Sequence, residues 1–342
     1  MAPFDDVIGM RAVVCHEHRW PQPLVVERTA VPTPAPGEML VKVAAAGVNF
    51  ADTLSIGGSY QEKLVPPFIP GAEVAGRIIA VGEGVSGYVP GERIMAQVAS
   101  GGYAEIVCVD PRRAAHVPAG LSDFEAAGFY IPYGTAYAGL VDRGGLVQGD
   151  VVVVTGAAGG VGLAAVQVAK AAGAFVIGIA ESDERREIVR RAGADVAVGA
   201  SAARGAVLDA TDRRGADLVF DMVGGATARE LMRVLAFEGR FLVVGFASGE
   251  VPVLPANHVL VKNIDIRGFY WNPYQHLRPE ATARAFEQLA EMVGHGSLRP
   301  RIAGIYALEN TGGALDQIAR RTHVGKLVVD MDPDAPDFRT GE

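Results

Sequence analysis

Apolar residues follow two rhythms along this chain, and the rhythm changes near residue 130. Beyond that point unbroken runs dominate. The four valines at 151–154 show no alternation, which suits a parallel strand covered on both faces. GAAGGVG follows at once and opens the helical pattern of LAAVQVAKAA. Further strands are expected at Phe175–Ala180, Asp195–Val198, Asp217–Met222, Arg240–Gly245 and Ile264–Phe269, with helices over Asp183–Ala192, Ala202–Asp212 and Thr227–Phe237. Strands alternating with helices in this way predict an α/β fold with a doubly wound parallel six-stranded sheet.

Before residue 130 the runs are short and punctuated. Strands are expected at Arg11–Cys15, Leu24–Arg28, Met39–Ala46, Gly71–Val81, Glu92–Gln97 and Tyr103–Val109, with the proline-rich turn VPTPAPGE among them. Proline stops ladders and fixes turns, so this stretch predicts a small, mainly-β, barrel-like unit. From Leu121 the pattern turns helical, and IPYGTAYAGL bridges to the next domain, with the boundary near Ile131. After Trp271, a helix Pro279–Val293, a strand Ile302–Tyr306, a helix Gly312–Arg320 and a strand Lys326–Val329 are expected to fold back onto the first domain. The expected domains are thus 1–130 completed by 274–342, and 131–273. The polar, proline-broken tail DPDAPDFRTGE is expected to fray.

Composition narrows the function classes. At 342 residues the chain exceeds the usual limit of one core. A net charge of −8 leaves no basic stripe for phosphate backbones, so nucleic acid is not expected as a main partner. Cys15 and Cys108 are the only cysteines, which excludes a disulfide framework and a four-thiolate zinc lobe and fits a reducing cytosol. The opening MAPFDDVIGM lacks the layout of an export signal, and no apolar run reaches the ~18 residues of a membrane span. A cytoplasmic protein is expected.

The turn after the valines carries the first chemistry. Ala157, Gly159 and Gly162 stand at the spacing of the dinucleotide fingerprint, with Ala157 replacing its first glycine. Ala157, Ala158, Gly159, Gly160, Val161 and Gly162 are therefore expected against a pyrophosphate. Small residues permit close backbone approach, and Gly162 lets the helix pack on the strand and aim its N-terminal amides at the anion. Such a turn also serves ordinary strand-to-helix connections. What favours the nucleotide is a second strand ending about 20 residues later, where a ribose-reading side chain belongs.

Several segments in order carry a resemblance: AAGVNFADTL (45–54), PFIPGAEVAG (67–76), YGTAY (133–137), GAAGGVGLAAVQ, GFASGE (245–250) and VKNI (261–264). Together they resemble the zinc-independent, zeta-crystallin-like quinone oxidoreductase branch of the medium-chain dehydrogenase/reductases. The resemblance implies a GroES-like catalytic domain, a Rossmann domain, an NAD(P)H cofactor and a homodimer. Zinc-dependent members carry a cysteine just after the AAG-like segment and a His-Glu pair in the PG-E segment. Here Val48, Asn49 and Ala72-Glu73 stand there, and His16, His18 and His116 are scattered over other loops. No zinc is expected, and Glu73 is expected to be a buried structural hydrogen-bond partner.

By resemblance Asn49 lies near the nicotinamide ribose and the reacting ring, and Thr135 lies under the ring. Asn49 also reads as a turn residue after a strand, and Thr135 as a helix N-cap. Tyr60 either hydrogen-bonds or protonates a substrate oxygen, or is an exposed loop aromatic; Tyr133 has a similar claim on that oxygen or packs at the domain junction. The implied cofactor residues further include Val223, Gly245, Phe246, Ala247, Ser248, Phe269, Tyr270, Trp271 and Lys326, several at carboxyl ends of strands where a doubly wound sheet places its ligand. Ala180 replaces the aspartate of NAD-selective relatives. Arg185 falls where quinone reductases set a basic residue on the 2′-phosphate, beside Glu181 and Ser182. Glu181 either repels that phosphate and accepts from the ribose of NADH, or turns outward to pair with Arg185. NADPH is the expected cofactor and NADH the second choice.

The expected function is metal-free hydride transfer from nicotinamide to a quinone. Enones, alkenals and enoyl thioesters are the alternative acceptors, and a non-catalytic dinucleotide-binding protein, structural or redox-sensing, is the alternative of another class.

Overall fold

The computed structural model describes residues 9–22, 24–334 and 336–341, which divide into two compact units. One holds the described residues up to Tyr130 with those from Arg299 onward, and the other runs from Ile131 to Leu298.

In the first unit β1 (Met10–Val14) and β2 (Val25–Thr29) form an antiparallel pair. The long β3 (Met39–Val48) is flanked on its antiparallel edges by β4 (Glu73–Val81) and β6 (Ile106–Val109); β5 (Arg93–Gln97) and β7 (Ala114–His116) extend the sheet beyond β4. Met39, Val41, Val43, Val74, Ile78, Ile94 and Tyr103 build its core. A short helix, α1 (Phe50–Ile56), leaves the end of β3, and α2 (Asp123–Ala127) begins at a capping box. There the Ser122 hydroxyl accepts from the Glu125 N–H while Glu125 accepts from the Ser122 N–H, which satisfies two end donors. The helix α3 (Tyr130–Tyr137) leads into the second unit.

There β8 (Val151–Val154), β9 (Phe175–Ile179), β10 (Val196–Val198), β11 (Ala216–Asp221), β12 (Leu235–Val243) and β13 (Asp265–Gly268) lie parallel in the order β10-β9-β8-β11-β12-β13. The order reverses between β8 and β11, the point beyond whose carboxyl ends doubly wound sheets place their ligands. All four valines of β8 are buried, as a strand covered on both faces requires. The helices are α4 (Gly160–Ala171), α5 (Asp183–Arg191), α6 (Ala200–Ala210), α7 (Gly225–Arg233), α8 (Ala256–Lys262), α9 (Trp271–Leu277) and α10 (Pro279–Gly294). The chain then returns with β14 (Ile302–Ala307), α11 (Thr311–Arg320), β15 (Lys326–Asp330) and β16 (Phe338–Thr340), giving the order β16-β14-β15-β3-β4-β5-β7.

Two expectations need correction. The chain returns to the first unit at Arg299, not at 274. The reason is aromatic packing in α9 and α10: the rings of Trp271 and Phe286 lie 6.3 Å apart, and a Cβ on Gly134 would meet the Trp271 ring at 2.6 Å. The tail does not fray throughout, because β16 pairs antiparallel with β14. The Phe338 ring lies 4.9 Å from that of Tyr306, while Arg339 pairs with Asp330 and sits over the Phe124 ring. Ala335 and Glu342 of that tail lie outside the described residues.

Candidate active site

The nucleotide half is shaped by glycine. After β8 and Thr155, the left-handed turn falls on Gly156, with φ of 59°, one residue before the fingerprint's first position. Gly159 is the extended N-cap of α4. A Cβ on Gly162 would stand 2.2 Å from the Gly156 carbonyl oxygen and 2.8 Å from Ala157 Cα, so only hydrogen fits where helix meets turn. Buried Ala157 hydrogen-bonds through its N–H to Ile179 O and lies against Gly178, where a Cβ would come within 3.2 Å of it. The start of α4 at Gly160, Val161 and Gly162, beside Ala158, has the spare N–H groups of any helix N-terminus and is a ready site for an anion.

A carboxylate that sequence reasoning passed over ties the loops around this turn. Asp221, at the end of β11, accepts from Thr155 Oγ1 at 2.7 Å and from the N–H groups of Val223 and Gly224. Thr155 Oγ1 accepts in turn from the Met222 N–H. Burial raises the Asp221 carboxyl above its ordinary range against these donors. An acid closing an apolar strand, DLVFD, is the available sequence signal. Next to it the Ala247 and Ser248 N–H groups bond Met222 O and Val223 O, while Gly245 N–H bonds Asp221 O. Phe246 is half-exposed on the same loop.

At the tip of β9, Ser182 caps α5 by accepting from the Arg185 N–H. Glu181 accepts from the backbone N–H of Ala200 at 3.3 Å, a partner not anticipated. Arg186 donates to the carbonyls of Ala180 and Glu181 and pairs with Asp183. Arg185 is half-buried on α5.

The aromatic segment is packed more deeply than expected. Phe269 and Trp271 are buried, Tyr270 is exposed, and the Phe269 N–H bonds Val243 O. The side chains of Phe269 and Trp271 serve the interior of this unit. Thr135 is buried within α3 and is not an N-cap. Tyr133 donates to Gln167 Oε1 of α4 at 2.7 Å within the second unit.

In the first unit one polar cluster is buried beneath the start of α1. Asn49 caps this helix, and its N–H donates to Asp52 Oδ2 at 2.8 Å. Tyr103 OH donates to the same oxygen at 2.7 Å. Asp52 is pushed up to about 6, first by burial, against the bonds from Tyr103 and Asn49. The Tyr103 phenol is held far above its ordinary value by burial and by Asp52. Asn49 Nδ2 donates to Glu73 Oε2 at 3.1 Å and to Gly47 O at 3.3 Å. Lys326 Nζ donates to Asn49 Oδ1 at 2.7 Å and to Val48 O at 2.9 Å, and lies 2.8 Å from Glu73 Oε2. Glu73 is fully buried, as expected of a structural partner. Lys326 was expected on the dinucleotide. Here the three donors of its ammonium are engaged inside this cluster.

Glycines make room for it: a Cβ on Gly47 would stand 2.6 Å from Glu73 Oε2, and one on Gly128 would stand 2.8 Å from Lys326 Cγ. Tyr60 is half-buried in the turn after α1, its N–H on Leu54 O. Among the described residues no group of three or more His, Cys, Asp or Glu is arranged to hold a metal ion, and no helix is long and apolar enough to cross a membrane.

Comparisons with known proteins agree on both halves. Residues 35–119 match the alcohol dehydrogenase GroES-like domain, and residues 160–291 match the zinc-binding dehydrogenase family. A quinone oxidoreductase-like protein 2 homolog of Nematostella vectensis is 36% identical over 325 residues, 93% of this chain and 88% of that protein. Prostaglandin reductase-3 of Bos taurus is 34% identical over 322 residues, 89% of this chain and 84% of that protein. The quinone oxidoreductase of Thermus thermophilus, whose structures include a complex with NADPH, superposes with a TM-score of 0.83 at 33% identity, covering 94% of this chain and all of that one.

Proposed function

We propose that this chain, which belongs to the zeta-crystallin-like quinone oxidoreductase branch of the medium-chain dehydrogenase/reductase superfamily, reduces a quinone with NADPH and without a metal. The chain is an NADPH-dependent oxidoreductase; its acceptor is the proposal. The observation that carries the metal-free reading is Lys326. The segments that supply zinc ligands in metal-dependent members here surround an ammonium, with Val48 O, Asn49 Oδ1 and Glu73 Oε2 about it. An ammonium seated among these oxygens stands where a cation would sit and repels a divalent ion.

When bound, the nicotinamide supplies the hydride. The glycine turn Gly156–Gly162 and the α4 N-terminus would hold the pyrophosphate, Ser182 and Arg185 the 2′-phosphate, and the backbone around Val223, Gly245–Ser248 and Phe269–Trp271 the nicotinamide end. Asn49 would meet the nicotinamide ribose, Thr135 would lie under the ring, and Tyr60 would donate to the acceptor oxygen as charge develops there. One hydride and one proton added to a quinone give the hydroquinone. A metal is unnecessary because a quinone is already electrophilic.

The test follows nicotinamide absorbance with ortho- and para-quinones, enones, alkenals and enoyl thioesters. Quinone-dependent oxidation of NADPH supports the proposal. Selective turnover of enones would favour the second reading, which draws support from the likeness to prostaglandin reductase-3. Dinucleotide binding with no turnover of any acceptor would leave the non-catalytic alternative. Elemental analysis showing one zinc per chain, with activity lost on chelation, would overturn the metal-free reading. A homodimer belongs to the same proposal: β13 ends its sheet with Ile266 exposed, and Val251, Val253, Leu260 and Val261 are exposed in the same unit. Sedimentation showing only monomer would remove it. The cytoplasm is the proposed compartment, where Cys15 and Cys108 stay as the free thiols seen here.

A further inference from the structure

We infer that Asp221 is a positioning residue on which the loops after β8, β11 and β12 hang, and that it sets the affinity of the second unit for one half of a dinucleotide and not for the other. The inference rests on the proposed NADPH site and deepens it: the half that depends on Asp221 is the one carrying the nicotinamide.

The two halves follow from strand order. β8 lies between β9 and β11, with β12 beyond β11. A dinucleotide whose pyrophosphate rests on the start of α4 extends to one side over the tip of β9, where Ser182 and Arg185 stand, and to the other over the ends of β11 and β12. The tip of β9 is held by its own bonds: Ser182 caps α5, and Arg186 donates to the carbonyls of Ala180 and Glu181. Asp221 serves the other side.

Three donors converge on its buried carboxylate. Thr155 Oγ1, itself buried, donates to Oδ1 at 2.7 Å, the Val223 N–H donates to Oδ1 at 3.1 Å, and the Gly224 N–H reaches Oδ1 and Oδ2 at 3.3 and 3.2 Å. Thr155 Oγ1 accepts in return from the Met222 N–H at 2.9 Å. Successive amides of the loop after β11 are thus wrapped round Asp221 and its hydroxyl partner, and the bend falls on Gly224 and Gly225 at φ of 73° and 61°.

The loop after β12 hangs on this one. The Ala247 and Ser248 N–H groups donate to Met222 O and Val223 O, each at 2.9 Å, and the Gly225 N–H donates to Glu250 O at 3.1 Å. A Cβ on Gly224 would stand 2.7 Å from Glu250 O, and one on Gly156, where the glycine turn begins, would stand 3.2 Å from Val223 Cγ2. One carboxylate therefore fixes both loops against the turn. Asparagine cannot take its place, because whichever way the amide is turned its NH2 faces another donor, the Gly224 N–H or the Thr155 hydroxyl.

The test compares full-length wild-type protein with Asp221→Asn, Thr155→Val and Thr155→Ser. Dissociation constants are measured by calorimetry for NADPH and for adenosine 2′,5′-bisphosphate, which lacks the nicotinamide half. Asp221→Asn and Thr155→Val should bind NADPH at least about tenfold more weakly and the bisphosphate within about twofold of wild type, since a charge-assisted bond is lost on one side only. Thr155→Ser, which keeps the hydroxyl, should match wild type for both ligands. A general loosening of the unit would weaken both ligands together, so equal losses, or unchanged NADPH affinity in folded Asp221→Asn, would overturn the inference.

A second measurement needs no variant. In 15N-labelled wild-type protein the amides of Met222, Val223 and Gly224 should exchange slowly before any ligand is added, because Asp221 and Thr155 already hold them. Rapid exchange there would overturn the inference even if neither variant folds. Wild-type protein that binds neither ligand would defeat the proposed function as well, whereas equal losses in the variants of a wild type that binds NADPH would defeat this inference alone.

Discussion

Replacing Asp52 by asparagine should remove a pH dependence from the stability of the first unit. Asp52 is buried with Tyr103 OH and the Asn49 N–H on one oxygen, and its pKa stands at about 6 against an ordinary 3.8. Burial, the largest cause, favours the neutral acid; Lys326 opposes it and Glu73 supports it. The folded state therefore holds a proton that the unfolded state releases. Stability from this group is complete below pH 3.8, falls as pH rises through 6, and is level above that. At about 1.4 kcal/mol per pH unit the fall amounts to roughly 3 kcal/mol. Asparagine keeps an acceptor for Tyr103 and the Asn49 N–H but carries no titrating proton. The difference in unfolding free energy between wild type and Asp52→Asn should thus move in favour of the variant by about 2.4 kcal/mol of this between about pH 4, where the fall has already begun, and pH 7.5. Urea unfolding at the two pH values, followed by a probe in the first unit, measures it, and 13C titration of the Asp52 carboxyl reads the pKa directly. A pKa below about 4.5, or a stability difference that does not vary with pH, would refute the assignment of a buried, desolvated acid.

Gly162→Val should lower dinucleotide affinity by more than about 100-fold, since its Cβ would meet the Gly156 carbonyl at 2.2 Å and displace the helix end from the turn; calorimetry on a folded variant showing unchanged affinity would contradict the placement. Arg185→Ala should raise the Michaelis constant for NADPH about tenfold and leave that for NADH unaltered, while Glu181→Ser should lower the NADPH value roughly two- to threefold, as a charge-assisted contact and a screened repulsion dictate. A wild-type preference for NADH that survives Arg185→Ala reverses the assignment. Tyr60→Phe should cut turnover by about 3- to 10-fold where hydride transfer limits the rate and leave dinucleotide affinity unchanged; an unaltered turnover number returns Tyr60 to a loop role.

What is legible in the sequence is whatever one stretch can encode by itself. The four valines of β8 declare a doubly covered strand, and the glycine turn beside them declares its helix. Elements whose pattern is mixed are harder. The helix α9 buries Asn272 and Gln275 and carries Pro273, so YWNPYQHL reads as a loop until Trp271 and Phe286 are seen to pack. The strand β16 is three residues long in a charged tail, and only its pairing with β14 makes it one. Side-chain partnerships across long separations leave the least trace. Lys326 meets Asn49 over 277 positions and Tyr103 meets Asp52 over 51, and neither residue type nor local spacing announces such a partner. The resemblance singled out Asn49 and Glu73 as unusual positions but gave Lys326 a different neighbour.

The pairing of β3 with β15 also sets an order of assembly. Val48 and Lys326 are 278 residues apart, so at ribosomal speed the end of β3 waits roughly 15–55 s for its neighbour to be synthesised. Residues 131–298 form a continuous stretch and emerge within that wait. The nucleotide-binding unit can therefore be finished while the β unit still has an open edge and two carboxylates, Asp52 and Glu73, that await the Lys326 ammonium. Desolvation of these acids is deferred until the final segment of the chain arrives. A nascent chain stalled before Lys326 would consequently present chaperones with an unsealed sheet attached to a completed partner, and translation through that segment becomes the event that closes the molecule.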